Sequence, residues 1–435
     1  MIIFENGELE IAMVTYNRSN FIAEWLKCCY EHMKKRNIHF SIYDSSTNND
    51  TEQLINDFKI ANNDSDIEYH HVDSDISIGY KPMFPILESK SKYVWVAGDS
   101  IYWDFDVLDS KLFPLIKEEI DIAVIHIAGL DEGIKPVYND RNDFLKAAFL
   151  SMTCIGASVY KTAMFEPLKN DDVLRKECDL KYRENYAYAW LGYFAEMFYM
   201  NDYTASIVLT HWKQINLKKI YSWQKRYYHS NINDLCGLMD CLSDKYRDTD
   251  EIIRYVWTWL DLDSSNKCYA ARKYGDLNPE TYMEFKNSGM LDRCTLHGDR
   301  LERFAYAKDE DLDKLLDAEL NKEKEHFKEL CYQNADKVKN ESKNRRLWIY
   351  GAGMGGEILA DCLSERDIPV CGFLDMNAKI LKGFKGMTVS GLDEADLKDA
   401  YIVISLRYPT AYCLSPLLER GVERKNIFYI SVDAD

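Results

Sequence analysis

The sequence contains no apolar run close to the ~18 residues that a membrane span requires. Its opening residues, MIIFENGELE, hold neither a basic segment nor an apolar core, so no secretory signal is expected. Positive charge is in deficit: 54 Lys and Arg stand against 72 Asp and Glu, a formal net charge of −18. That balance argues against a broad electrostatic grip on nucleic acid, although a few local donors suffice to hold a phosphate. The 12 cysteines are scattered, the adjacent Cys28 and Cys29 included, and none forms a CxxC pair. This usage points to reduced cytoplasmic thiols, not to a disulfide frame or a zinc site. No internal repeat is evident.

The chain has 435 residues, room for two or three domains, and its 46% hydrophobic and 29% charged residues are ordinary for a soluble globular protein. The stretch that organises the first part is YVWVAGDS, Tyr93 to Ser100. An apolar strand running into Gly98 and then Asp99 delivers a carboxylate to the carboxyl edge of a sheet, where open α/β folds bind ligands. Three strand–helix units precede it. Glu8–Asn17 is a strand pattern, followed by a helix with Phe21, Trp25, Cys29 and Met33 at four-residue spacing. FSIYD (Phe40–Asp44) leads into a helix for which Thr51 is the expected cap, and Ile67–Val72 leads into a short helix entered through Pro82. This alternation predicts a doubly wound α/β half.

Further strands are expected at Ile120–Ile127, Cys154–Tyr160 and Ser206–Leu209, and helices at Asp106–Lys117, Phe144–Leu150 and Tyr186–Met200. From about Leu217 to Lys343 the strand signal disappears, and charged residues alternate with Leu, Trp and Tyr at helical spacing. A new α/β unit opens at Arg346, where LWIY runs into GAGMGG. Gly351, Gly353 and Gly356 give GxGxxG between a strand and a helix, and Asp375 ends the next strand, the context of a nucleotide-binding turn. The expected organisation is residues 1–215 as an α/β domain, 216–343 as a helical domain or linker, and 344–435 as a small Rossmann-like domain.

Four segments in the first 210 residues resemble the nucleotide-sugar-dependent glycosyltransferases of GT-A fold, family-2 type. VTYNR contains Thr15, Tyr16, Asn17 and Arg18; YDSSTNNDT contains Asp44 and Ser46; DSDISIGYKP contains Gly79 and Lys81; AGDS contains Gly98, Asp99 and Ser100. The resemblance implies that these residues bind the donor. Asp44 accepts from the base, Thr15 and Asn17 hold base or ribose, and Arg18 and Lys81 meet the phosphates. It also implies a divalent Mn²⁺ or Mg²⁺ at Asp99, neutralising the leaving nucleotide; His211, just after the last expected strand, is a candidate further ligand, with a structural role as the plainer reading. Here the sequence departs from the family, which has two or three acids in that motif; Asp104 and Asp106 lie a few residues on. Glu184 best matches the position of the general base, with Asp179 and Glu196 next; burial among aromatics is expected to raise the pKa of Glu196. The C-terminal continuation GFLDMNAKILKGFKGMTVSGLDE is similar to the nucleotide-sugar-binding N-terminal domains of bacterial sugar acetyltransferases.

The implied activity is inverting transfer of a sugar, with a UDP-sugar favoured as donor, to a glycan or lipid-linked oligosaccharide in surface polysaccharide synthesis. The expected setting is the cytoplasm. KQINLKKIYSWQKR, Lys213 to Arg226, suits peripheral contact with an anionic membrane or a lipid-linked pyrophosphate, while a solvated helix face is the plainer reading. The helical middle is a possible surface for homo-oligomers. Three other readings compete: a nucleotide-sugar-binding scaffold with degenerate chemistry, a nucleotidyltransferase, and an NAD-dependent oxidoreductase. The second lacks a Gly-rich loop after Val14; the third leaves no room for a domain beyond the glycine turn.

Overall fold

The structure, a computed structural model, describes residues 1–63, 66–126, 134–210, 212–215, 217, 226–294, 298–381, 383–405 and 411–430. Strands β1 (Leu9–Thr15), β2 (His39–Asp44), β3 (Ile67–His71) and β4 (Tyr93–Gly98) lie parallel in the order β3-β2-β1-β4. A short antiparallel pair joins β5 (Ile101–Trp103) to β9 (Trp212–Gln214). Strands β6 (Ile122–His126), β7 (Ser158–Lys161) and β8 (Ala205–Leu209) complete a seven-stranded sheet in the order β3-β2-β1-β4-β7-β6-β8. Strand β7 runs antiparallel to both β4 and β6. The sheet is thus a parallel, Rossmann-like α/β sheet with one reversed strand, in line with the α/β expectation.

Helix α1 (Ser19–Lys35) explains the four-residue spacing: Phe21, Ile22, Trp25, Leu26, Cys29, Tyr30 and Met33 form its buried face. Each large side chain so buried contributes about 1.5–3 kcal/mol. Its end carries His32, Lys34 and Lys35, which complement the helix dipole. Helix α2 (Asp50–Asn62) starts two residues earlier than expected, after Asn49. Thr51 therefore lies inside it and is not its cap; the hydroxyl is buried without a hydrogen-bond partner among the described residues. Helix α3 (Met83–Glu88) follows Pro82 as expected. The expected Asp106–Lys117 helix divides into Phe105–Lys111 and Phe113–Lys117, with Pro114 in the opening turn of the second.

Helices make up most of the described residues between His229 and Tyr306, but they do not form a core of their own. One continuous apolar cluster runs from Phe4 through Trp95, Phe144, Tyr193, Ile232 and Trp257 to Leu312. The helix Leu312–Glu341 leaves that cluster and buries Phe327, Cys331, Ala335 and Val338 against a second sheet. That sheet comprises β10 (Arg346–Tyr350), β11 (Gly372–Leu374), β12 (Val389–Ser390), β13 (Ala400–Ile404) and β14 (Ile427–Tyr429). Its order is β12-β11-β10-β13-β14 and every pairing is parallel. No described helix is long and apolar enough to cross a membrane.

Candidate functional site at the carboxyl edge of the first sheet

Register places the site. Thr15 pairs with Asp44 across β1 and β2, while Val14 pairs with Gly98 across β1 and β4. Asp99, one residue beyond β4, therefore comes level with Thr15 and Asp44 at one edge. Asp99 is only 5% exposed. One carboxylate oxygen accepts from the Thr15 hydroxyl at 2.9 Å, and the other accepts from Nη1 of Arg18 at 3.0 Å. Gly98 is needed beside it, because a Cβ there would approach the carbonyl of Ile155 to 3.1 Å.

Asp44 is fully buried. It accepts from the Ser46 amide at 2.9 Å, from the Ser46 hydroxyl, and from the Tyr69 hydroxyl at 3.0 Å. The Ser46 hydroxyl in turn accepts from the Asn17 amide at 2.7 Å, which ties the loop after β1 to the loop after β2. Asn17 sits in the left-handed region (φ 53°), a conformation that asparagine tolerates better than most residues. Its side chain accepts from the Thr47 amide at 3.0 Å. The Lys81 ammonium lies 4.7 Å from the ring centre of the exposed Tyr16. Burial lowers the Lys81 pKa, and the Asp44 carboxylate offsets part of that shift. Thr15, Tyr16, Asn17, Arg18, Asp44, Ser46, Lys81 and Asp99 thus form one connected cluster.

Gly79 joins this cluster to the next segment. Its carbonyl accepts from the Trp190 amide at 3.0 Å, and a Cβ there would lie 2.5 Å from the carbonyl oxygen of Tyr186. Ser77 donates to the Arg183 carbonyl at 3.1 Å, and the Arg183 guanidinium covers the Tyr80 ring at 4.2 Å. The segment carrying Glu184 is therefore strapped to the loop carrying Gly79 and Lys81, while the Glu184 side chain is 74% exposed beside Arg183. Gly79→Ala should separate these two loops and destabilise the fold by about 1–3 kcal/mol. Gly353→Ala, where nothing lies within 4 Å of a Cβ, should change stability by less than about 0.5 kcal/mol. Denaturant midpoints of the two variants test the contrast.

Glu196 takes a different role from the one its burial suggested. It accepts from Tyr182, from Lys245 and, at 3.2 Å, from Lys181. Burial alone would raise its pKa, but these donors outweigh burial and hold it below the ordinary value. The expected raised pKa is thereby corrected. Lys245 reaches it from the helical region, so this carboxylate clamps the helix Ala189–Met200 to that region. Asp179 is likewise engaged by the Tyr193 hydroxyl. Of the aromatics from Tyr186 to Phe194, Trp190, Tyr193 and Phe194 are core, at 6%, 0% and 1% exposure.

The expected metal can be tested against these side chains. Asp99 is the one acid of its motif, and Arg18 and Thr15 occupy its two oxygens. Asp104 caps the following helix through the Asp106 amide and takes Lys213 at 3.2 Å. Asp106 takes Arg36 at 3.1 Å. Among the described residues no group of three His, Cys, Asp or Glu side chains is placed to hold a metal ion. His211, and most of the basic stretch from Lys213 to Arg226, lie outside the described residues. The described side chains fit a guanidinium better than a divalent cation.

At the second sheet, Gly351 adopts φ 106° between β10 and the helix Met354–Ser364. Gly353 precedes that helix, and a Cβ at Gly356 would lie 2.0 Å from the Gly351 carbonyl oxygen. Gly355, which the spacing rule passes over, is equally constrained: its Cβ would meet the Ser405 carbonyl oxygen at 2.3 Å. The signal for it was present as the third of the four glycines in GAGMGG. Asp375 accepts from the amides of Ala352 and Asn377, each at 2.8 Å, and so clasps the glycine turn to the end of β11.

No protein-family model and no curated protein sequence matches the chain. Solved structures similar to it include TarS 1–349 of S. aureus, with 12% identity over 68% of this chain and 91% of that one and a TM-score of 0.40. The mannosyltransferase PcManGT from Pyrobaculum calidifontis, solved with GDP-Man and Mn²⁺, shares 12% identity over 70% and 88% of the two chains, with a TM-score of 0.41. Glucosyl-3-phosphoglycerate synthase from Mycobacterium tuberculosis gives 12% identity over 55% and 80%, with a TM-score of 0.34. All three TM-scores lie below 0.5, so the functional reading rests on this chain's own residues.

Proposed function

We propose that the protein is a nucleotide-sugar-dependent glycosyltransferase whose donor lies across the carboxyl edge of β1, β2 and β4. The observation that carries this reading is the alignment of Asp44, Thr15 and Asp99 by strand register, with two cations, Arg18 and Lys81, beside them. A buried carboxylate at Asp44 suits the N–H edge of a base, the Arg18 guanidinium on Asp99 suits a diphosphate, and Lys81, near Asp44, adds positive charge between them. Tyr16, Asn17, Ser46, Gly79 and Ser100 complete the proposed donor site. The four motif resemblances fall on this same edge.

Glu184 is the proposed general base. Its segment is fixed to the donor loop, and its carboxylate stands in solvent, where an acceptor hydroxyl has to arrive. In an inverting displacement the acceptor oxygen loses its proton to Glu184 and bonds to the anomeric carbon. The bond from that carbon to the phosphate oxygen breaks, and the nucleoside diphosphate leaves with the electron pair. The acceptor proposed is a glycan or a lipid-linked oligosaccharide. For the C-terminal sheet we propose a second nucleotide or sugar-nucleotide site at the glycine turn, with Gly351, Gly353, Gly356 and Asp375 shaping it; a retained fold without a ligand is the other reading.

Thermal unfolding tests the donor site. UDP or GDP at a hundred times its dissociation constant should stabilise the protein by about 2.7 kcal/mol, and NAD should not reproduce the effect. A melting temperature unmoved by every nucleotide would remove the reading's support.

A further inference from the structure

We propose that Arg18, seated on Asp99, takes the place of a divalent cation as the charge that meets the donor's diphosphate, so that binding and transfer proceed without metal. The inference rests on the glycosyltransferase reading and specifies how that same site handles charge. Two observations carry it together.

The first is the pairing itself. Asp99 is the carboxylate at the position where the resemblance places a metal, and its side chain is 6% exposed, whereas that of Arg18 is 33% exposed. The guanidinium therefore lies on the solvent side of the carboxylate, between it and any incoming diphosphate. Only Nη1 is engaged by a carboxylate among the described residues, and the group also packs over the Phe21 ring at 5.4 Å. The remaining N–H donors of a guanidinium form a planar fork suited to two phosphate oxygens. A Mg²⁺ or Mn²⁺ at Asp99 would have to displace Arg18, and would then sit close to a guanidinium with Asp99 as the one motif carboxylate to compensate it among the described residues.

The second is the helix that Arg18 begins. Helix α1 has seventeen residues, no side-chain cap on its first amides and no acidic residue in its first turn. Its positive end thus faces the cluster without any negative group of its own, while Arg18 supplies the N-cap position. Guanidinium, helix terminus and Lys81 together provide the charge that a cation would otherwise bring. When the glycosidic bond breaks, the electron pair moves onto the phosphate oxygen facing these donors, and the acceptor proton goes to the base.

The test is calorimetric titration of the full chain with UDP and GDP, and with uridine and guanosine, in chelator and in excess Mn²⁺, alongside spin-resonance detection of free Mn²⁺. The expected result is a diphosphate affinity equal with and without metal, with no Mn²⁺ taken up. Arg18→Ala should weaken the diphosphate about tenfold or more while leaving the nucleoside unchanged, and Arg18→Lys should recover part of the loss. Arg18→Ala with Asp99→Asn removes both charges and should show the same selective loss if the single variant unfolds. Diphosphate binding that requires Mn²⁺, or that survives Arg18→Ala, would overturn the inference and leave the transferase reading standing. Failure of every nucleotide to bind in either condition would overturn both.

Discussion

Replacing Asp99 by alanine is expected to abolish most donor turnover and to weaken the fold. The carboxylate is the counter-charge of Arg18 and the acceptor of the Thr15 hydroxyl. Its loss leaves a guanidinium without its partner and a buried hydroxyl without its acceptor. Removing one member of a buried pair costs about 3–5 kcal/mol; because a third of the Arg18 side chain reaches solvent, a loss of about 2–3 kcal/mol is expected. Turnover should fall by about 10²–10³, the usual consequence of misplacing a group that stabilises developing charge. Asp99→Asn keeps the shape and separates the two effects: stability should recover in large part, while turnover stays low and added Mn²⁺ does not restore it. Equal turnover in the asparagine variant and the unaltered protein would show that Asp99 does not orient Arg18 through charge.

Replacing Glu196 by alanine should be the most destabilising single change where the helix Ala189–Met200 meets the helical region, about 3–5 kcal/mol, because Lys181, Lys245 and Tyr182 all lose their common acceptor. The effect carries a pH signature. The folded-state pKa of Glu196 is held below its ordinary value of 4.5. Its contribution is therefore fully present above the unfolded pKa and is lost as pH falls through the lower, folded pKa. Unfolding free energies of the unaltered protein and Glu196→Gln should thus differ at neutral pH and converge in acid. Parallel profiles would mean that the carboxylate does not hold the two lysines in solution. Donor binding at neutral pH should persist in the folded variant, because none of these groups touches Asp99 or Asp44.

Much of the first sheet was legible in the sequence because burial and period coincide. The spacing of Phe21, Trp25, Cys29 and Met33 has one physical reading, and the apolar run into Gly98 has one as well. The same pattern placed Thr15, Asp44 and Asp99 at strand ends, and parallel register then brought them to one edge. The pairing of Arg18 with Asp99 was not legible: the two lie 81 positions apart, and no periodicity marks which charges meet. Glu196 was misjudged for the same reason. Its neighbours in sequence are aromatic, but Lys245 reaches it from 49 positions away.

Other misses have local causes. Thr51 looked like a cap because threonine favours that position, yet the helix begins at Asp50 and buries the hydroxyl. CIGASVY reads as a strand from its apolar content, but Gly156 adopts φ 112° and the strand starts only at Ser158. The middle helices carry apolar faces that the sequence assigns to no partner; their inclusion in the sheet's own core was visible only in three dimensions.

The central claim is that the edge formed by β1, β2 and β4 binds a nucleotide sugar and breaks its glycosidic bond. Slow hydrolysis of a panel of UDP- and GDP-sugars, followed as release of nucleoside diphosphate and free sugar, tests it most directly. The account predicts that at least one donor is cleaved, that the two products appear in equal amounts in the presence of chelator, and that Asp99→Ala removes the reaction. A panel left wholly intact by the folded protein, or cleavage undiminished in Asp99→Ala, would contradict it.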